Sequence, residues 1–175
     1  LPFEGYDRFK ISFNDAISLN PHVVQLGFLK LLKGSPLALA KREHGYLAQQ
    51  HPPYEILGSS YLNYEKIVLL HRIEDMLERY YNSGAFSSIM KFAGLELYKG
   101  DFFGLFEDLA GYWFDKKYFS RSHGREAEYS HLADFFAIRH PAWKAAAHEY
   151  IKLDFLMNNG PRHMPENIER FDVER

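Results

Sequence analysis

The chain has 175 residues, of which 46% are apolar and 17% aromatic, which is ample material for a core and argues against disorder except near the ends. A net charge of −2 with dispersed lysines and arginines gives no electrostatic case for nucleic acid or an anionic membrane as partner. There is no cysteine, which excludes disulfides, a cysteine nucleophile and any thiolate-ligated zinc or iron–sulfur cluster within these residues.

Length is a soft prior on domain count and allows one domain or one domain plus part of another. The longest apolar runs, such as residues 23–32, are too short and too interrupted to span a bilayer, and no basic-then-apolar signal opens the chain. A soluble, cytoplasmic protein is the expectation. The start at Leu1, with "LPFEGYDRF" reading as a strand end entering a helix, suggests a fragment.

The first helical pattern runs from about residue 5 to residue 19, with Tyr6, Phe9, Phe13 and Ile17 on one face. Asn20-Pro21 stops it. Residues 23–32 then read as a strand. Val24, Leu26 and Phe28 point one way and Val23, Leu29 and Leu31 the other, as in a parallel sheet buried on both faces. Lys33-Gly34 ends that strand, Ser35 caps, and Pro36 opens a helix over "PLALAKREH" that stops at Gly45. Helix, strand and helix in that order form a piece of an α/β repeat, whose strand needs sheet partners elsewhere.

After Gly45 the character changes, and a domain boundary is placed there. Pro52-Pro53 forbids helix, and residues 54–57 form a short extended edge. Asn63 caps a long helix with Ile67, Leu70, Ile73, Leu77 and Tyr80 or Tyr81 as its inner stripe. Asn82-Ser83-Gly84 breaks it, and a helix resumes with Phe86, Ile89, Met90 and Ala93 inward. Asp101 caps the next, in which Gly104 and Gly111 are expected to allow close helix contact. Two more helices follow, over about 125–139 and 142–157, and Asn159-Gly160-Pro161 stops the last. Residues 161–175 read as a surface tail.

Nine histidines are the obvious candidates for chemistry. His71, Glu74 and Asp75 share a helix face at metal-ligand spacing, although charge at these spacings is usually a solvated face. His140 and His148 would need ligand partners that the sequence does not identify. "KGSPL" sets a glycine and a hydroxyl beside a helix start, where Ser35 reads as a cap alone more readily than as a cap with an anion. "ERYYNSGAF" and "FEDLAGYWFDKKYF" are aromatic enough to line a pocket, and read first as core. No nucleophile elbow and no dinucleotide fingerprint is present.

Three stretches, "SFNDAISLNPHVVQLGFLKLLKGSPL", "PPYEILGSSYLNYEKI" and "IEDMLERYYNSGAF", with "LDFLMNNGPR" as a weaker fourth, together resemble the C-terminal third of bacterial radical S-adenosylmethionine proteins that carry an N-terminal cobalamin-binding domain. That group is often labelled by similarity to the anaerobic magnesium-protoporphyrin IX monomethyl ester oxidative cyclase. The resemblance implies a mainly α chain: residues 1–45 as the end of a partial (β/α) barrel, 46–160 as an all-helical C-terminal domain, and 161–175 as the tail. It makes residues 25–32 the sixth barrel strand, and Leu32, Lys33, Gly34 and Ser35 the barrel mouth that approaches nucleoside or substrate.

In such proteins a C-x-x-x-C-x-x-C loop binds a four-iron four-sulfur cluster that is chelated by S-adenosylmethionine. That loop would lie upstream of Leu1, so this piece is expected to hold no cofactor and no catalytic or metal-ligating residue, whereas the full-length oxidoreductase would use the cluster and S-adenosylmethionine, with cobalamin either used or merely bound. Its expected partners are the upstream radical and cobalamin-binding domains of the same chain, with self-association through an exposed strand. Two other readings stand beside this one: a non-catalytic helical module that docks a substrate or partner, and a helical metalloprotein using His71 with Glu74.

Overall fold

The structure is a computed structural model and describes residues 3–160 and 164–168. The protein is mainly helical, and its chain forms two compact units, Leu1–Asp75 and Met76–Arg175. None of the described helices is long and apolar enough to cross a membrane.

In the first unit, α1 (Tyr6–Ser18) buries Phe13 and Ile17, with Tyr6 and Phe9 half-buried on the same face. Residues 23–32 run extended but form no ladder. Their one bridge pairs Lys30 with Glu55, antiparallel, flanked by Leu31 N donating to Tyr54 O at 2.8 Å and Ile56 N donating to Leu29 O at 2.9 Å. The expectation of a strand buried on both faces of a parallel sheet is therefore corrected. Val23 is 61% exposed and Leu32 55%, while Leu31 alone in this stretch is buried. The reason is physical: an apolar run does not specify its neighbours, and the neighbour here is a short antiparallel return that covers one edge near its end.

That return is β2 (Ile56–Gly58), which also pairs antiparallel with β1 (Leu47–Ala48). Leu31, Tyr46, Ile56 and Ile67 form the small core beneath, with Phe28 and Leu37 packed on it. The change of character expected after Gly45 thus falls inside one packed unit. The helix expected over "PLALAKREH" shortens to α2 (Pro36–Leu39), followed by turns that end at Gly45 in the left-handed region, φ 61°.

α3 (Tyr64–Leu77) starts at Asn63, whose Oδ1 accepts from Lys66 N at 3.0 Å. Its stripe of Ile67, Leu70, Ile73 and Leu77, with Tyr80 beyond, is buried throughout. A π-helical turn (Glu78–Asn82) follows.

In the second unit α4 (Ser87–Phe92) runs into another π-helical turn (Ala93–Leu97). Then come α5 (Phe102–Asp115), α6 (Arg125–Arg139) and α7 (Lys144–Asn159), with 3₁₀ turns at Tyr118–Ser120 and Pro141–Trp143. α7 packs on both α4 and α6. Trp113, Tyr80, Phe86, Phe103, Phe106 and Phe136 fill the core.

Gly104 and Gly111 do not serve close helix contact. A side chain at Gly104 would strike the Asp101 carboxylate that caps α5, and one at Gly111 would meet open space. The close approach is at Gly94, where a Cβ would clash with the ring of Phe102.

Of the expected tail, residues 161–163 and 169–175 lie outside the described residues. The described part, 164–168, is docked instead of loose: Met164 and Ile168 are buried, and Asn167 Nδ2 donates to Ser130 O at 2.9 Å and to Asp134 Oδ1 at 2.8 Å.

Candidate functional site

The turn after the extended segment is the first candidate. Leu32, Lys33 and Gly34 are exposed, and Gly34 takes φ 80°, which favours glycine. Ser35 N donates to Leu32 O at 3.1 Å and closes the turn, while Ser35 Oγ accepts from Ala38 N at 3.2 Å. The hydroxyl is thus engaged as a helix cap. With only four residues, α2 has too little aligned dipole to make its N-terminus an anion site by itself.

Just before this turn lies a denser constellation, assembled from three places in the chain. Phe28 stacks on the His71 ring at 3.6 Å between centroids and 14° between planes. Glu55, the bridge partner of Lys30, brings Oε1 to 2.6 Å from His71 Nε2, and Glu74 Oε2 lies 3.4 Å from Nδ1. The two carboxylates sit at opposite nitrogens of one ring, so they cannot converge with it on a single ion. They can instead fix the orientation of the ring from its two ends. Asp75, the third residue of the expected group, is absent from this arrangement.

The second unit carries three polar networks. Glu128, buried on α6, accepts from Arg79 Nη1 at 2.8 Å through Oε1 and from Arg125 Nη1 at 3.0 Å through Oε2. The Arg79 guanidinium also lies over Trp113 at 5.0 Å. Asp154, buried on α7, accepts from Ser88 N and Ile89 N at the start of α4. Burial raises its carboxyl above the usual range, and those amides pull it back down.

The third network is Tyr98, Asp108 and His140. Tyr98 donates its one proton to Asp108 Oδ2 at 2.8 Å, so His140, with Nε2 at 2.9 Å, donates to the phenol oxygen. Burial, then the bond to Asp108, pushes Tyr98 well above the ordinary phenol range. Burial lowers His140, with Arg139 adding to this and Asp108 opposing. His148 does not join His140. It is buried, with Nε2 3.3 Å from Ala133 O.

Two imidazoles form a further pair. His131 Nε2 and His123 Nδ1 face each other at 3.0 Å, and His123 Nε2 donates to Tyr118 O at 2.9 Å. Tyr118 stacks on His131 at 3.9 Å, and the ring of Trp113 meets both imidazoles in T-shaped pairs. Burial first, then His123 and Arg121, push His131 down to about 4 against the pull of Asp134. Among the described residues no group of three or more His, Asp or Glu converges to hold a metal ion.

Residues 42–175 match the model of a family described as a protein of unknown function, DUF4080. This chain is a member of the DUF4080 family. No curated protein and no solved structure matches it.

Every element of the DUF4080 second unit, and with it the networks of Glu128, Asp154, His140 and His131, lies inside the matched region. Of the sequence candidates, Leu32, Lys33, Gly34 and Ser35 lie outside it. In this DUF4080 chain the aromatic stretches are core, as they first read, with Tyr80 and Phe86 of the one and Leu109, Ala110, Tyr112 and Trp113 of the other all buried. Sequence reasoning did not find Glu55 as the partner of His71, nor the His123–His131 pair, in which an eight-residue spacing crosses the Gly124 break and so has no helical period.

Proposed function

We propose that this chain is the C-terminal part of a radical S-adenosylmethionine iron–sulfur oxidoreductase with a cobalamin-binding domain, of the group similar to the magnesium-protoporphyrin IX monomethyl ester oxidative cyclase. The observation that carries the reading is the succession of α1, an apolar extended segment, a Gly34-Ser35 turn and the proline-led α2, in register with the resembling stretches. Leu32, Lys33, Gly34 and Ser35 would then stand at the mouth of a partial barrel.

The chain supplies no thiolate, so nothing in it fits a four-iron four-sulfur cluster, and the part present here is read as non-catalytic. The cluster, S-adenosylmethionine and any cobalamin belong, on this reading, to preceding domains of the same cytoplasmic chain. Val23 and Leu32, exposed on the extended segment, are surface for those domains to cover, and in their absence a second copy of the chain takes their place.

The deciding experiment translates the coding DNA upstream of Leu1 in frame. A C-x-x-x-C-x-x-C stretch ahead of the Leu1-Pro2 segment supports the reading, and a start codon just before Leu1 overturns it. Sedimentation of the isolated chain tests the covered surface: a strict monomer at high concentration removes that part.

A second reading, a helical docking module, is favoured by α7. Its outer face carries Tyr150, Leu153 and Met157, with Trp143 just ahead of its first turn, all exposed, and Phe92 stacks on Tyr150 at 4.4 Å. A free-standing gene, together with loss of a co-purifying partner on Leu153→Lys, would establish it over the first.

A further inference from the structure

The His123–His131 pair has no part in either reading above, and its geometry is specific. Because His123 Nε2 donates its proton to the Tyr118 carbonyl at 2.9 Å, the neutral ring presents the bare lone pair of Nδ1 to His131. An imidazole whose far nitrogen is tied to a backbone carbonyl is the usual form of a metal-ligating histidine, since that bond fixes both tautomer and ring orientation. His131 is held independently, by the Tyr118 ring stacked on it 17° from parallel and by the Trp113 ring in a T-shaped pair at 5.8 Å between centroids. Both rings are thus set by packing before any ligand arrives.

We propose that His123 Nδ1 and His131 Nε2 form a binding site for a divalent first-row transition ion of the Cu²⁺ or Ni²⁺ type, with solvent in the remaining positions. The facing nitrogens are 3.0 Å apart. With metal–nitrogen bonds of about 2.05 Å that separation subtends roughly 95° at the ion. This is the angle between neighbouring ligands in a square-planar or tetragonal site, as Cu²⁺ and Ni²⁺ prefer, and is narrower than the tetrahedral angle of zinc.

Binding needs no net release of protons. The His131 proton that now occupies the space between the rings moves from Nε2 to Nδ1, and its lone pair takes the ion. Besides His123, the charged groups that act on His131 are Asp134 one turn along α6 and Arg121 on the preceding loop, in opposite directions. Among the described residues only two protein donors converge, so one ion per chain at modest affinity is expected.

The test uses tag-free protein carrying Trp143→Phe, which leaves Trp113 as the sole tryptophan. CuCl₂ is added while fluorescence and electron paramagnetic resonance are read. The expected result is quenching of Trp113 that saturates at one equivalent, with hyperfine coupling to two nitrogens. His131→Gln keeps an N–H for His123 Nδ1 and so keeps the fold, yet should weaken the binding at least about tenfold and remove the two-nitrogen signal. Quenching unchanged by His131→Gln, or no two-nitrogen species at one equivalent in the parent protein, would overturn the proposal.

Discussion

Asp154 on α7 caps α4 from another helix: its Oδ2 accepts from Ile89 N at 2.9 Å, while Oδ1 takes Ser88 N at 3.0 Å. The first amides of a helix have no partner within it, and here no side chain of α4's own N-cap supplies one. Asp154→Ala leaves two amides without an acceptor in a buried setting, which costs about 3 kcal/mol. Asp154→Asn retains one acceptor oxygen and should lose about half as much. Urea unfolding of the three proteins checks the order, and equal stability of the alanine and parent chains would show that the cap carries no energy.

Tyr46 is the opposite case. It is 2% exposed, and its hydroxyl has no hydrogen-bond partner among the described residues. Tyr46→Phe removes a desolvated polar atom while keeping the ring against Leu31 and Ile56, so stability should stay level or rise by up to about 1 kcal/mol. A thermal melt decides it, and a clear drop would mean that the hydroxyl is bonded after all.

Local signals were legible and distant ones were not. Ile67, Leu70, Ile73 and Leu77 repeat at helical spacing and are all buried, because one face of one helix needs no knowledge of its neighbours. Asn63 and Asp101 cap amides three residues away, within reach of a local pattern. By contrast Glu55 meets His71 across a strand return, and Asp154 on α7 reaches Ile89 on α4 with α5 and α6 between them in the chain, so neither pairing leaves a periodic trace. The apolar run over 23–32 misleads for the same reason: its composition is that of a buried strand, whereas its exposure depends on which segments lie beside it.

The His140 network makes a pH prediction. Its folded pKa lies below the ordinary 6.5, chiefly through burial. As pH falls through 6.5 the unfolded chain therefore binds the proton more readily than the folded one. The stability that neutral His140 contributes is full above that value and declines toward the lower folded pKa. His140→Gln keeps an N–H for the Tyr98 oxygen without titrating. Denaturation between pH 7.5 and 5.5 should show a shallower loss for this variant than for the parent, and identical slopes would assign the loss to other groups.

The last prediction weighs two arginines on one carboxylate. Glu128 is nearly fully buried, so Glu128→Gln removes the negative charge that Arg79 and Arg125 share and should cost about 3 kcal/mol, with water reaching in to reduce the penalty. The arginines are unequal. The Arg125 side chain is 42% exposed, and its loss should cost under about 1 kcal/mol. That of Arg79 is 25% exposed and also rests on Trp113, so Arg79→Ala should cost more than Arg125→Ala. A double-mutant cycle with Glu128→Gln measures each coupling, and an Arg125 coupling as large as that of Arg79 would mean that solvent screening does not govern this network.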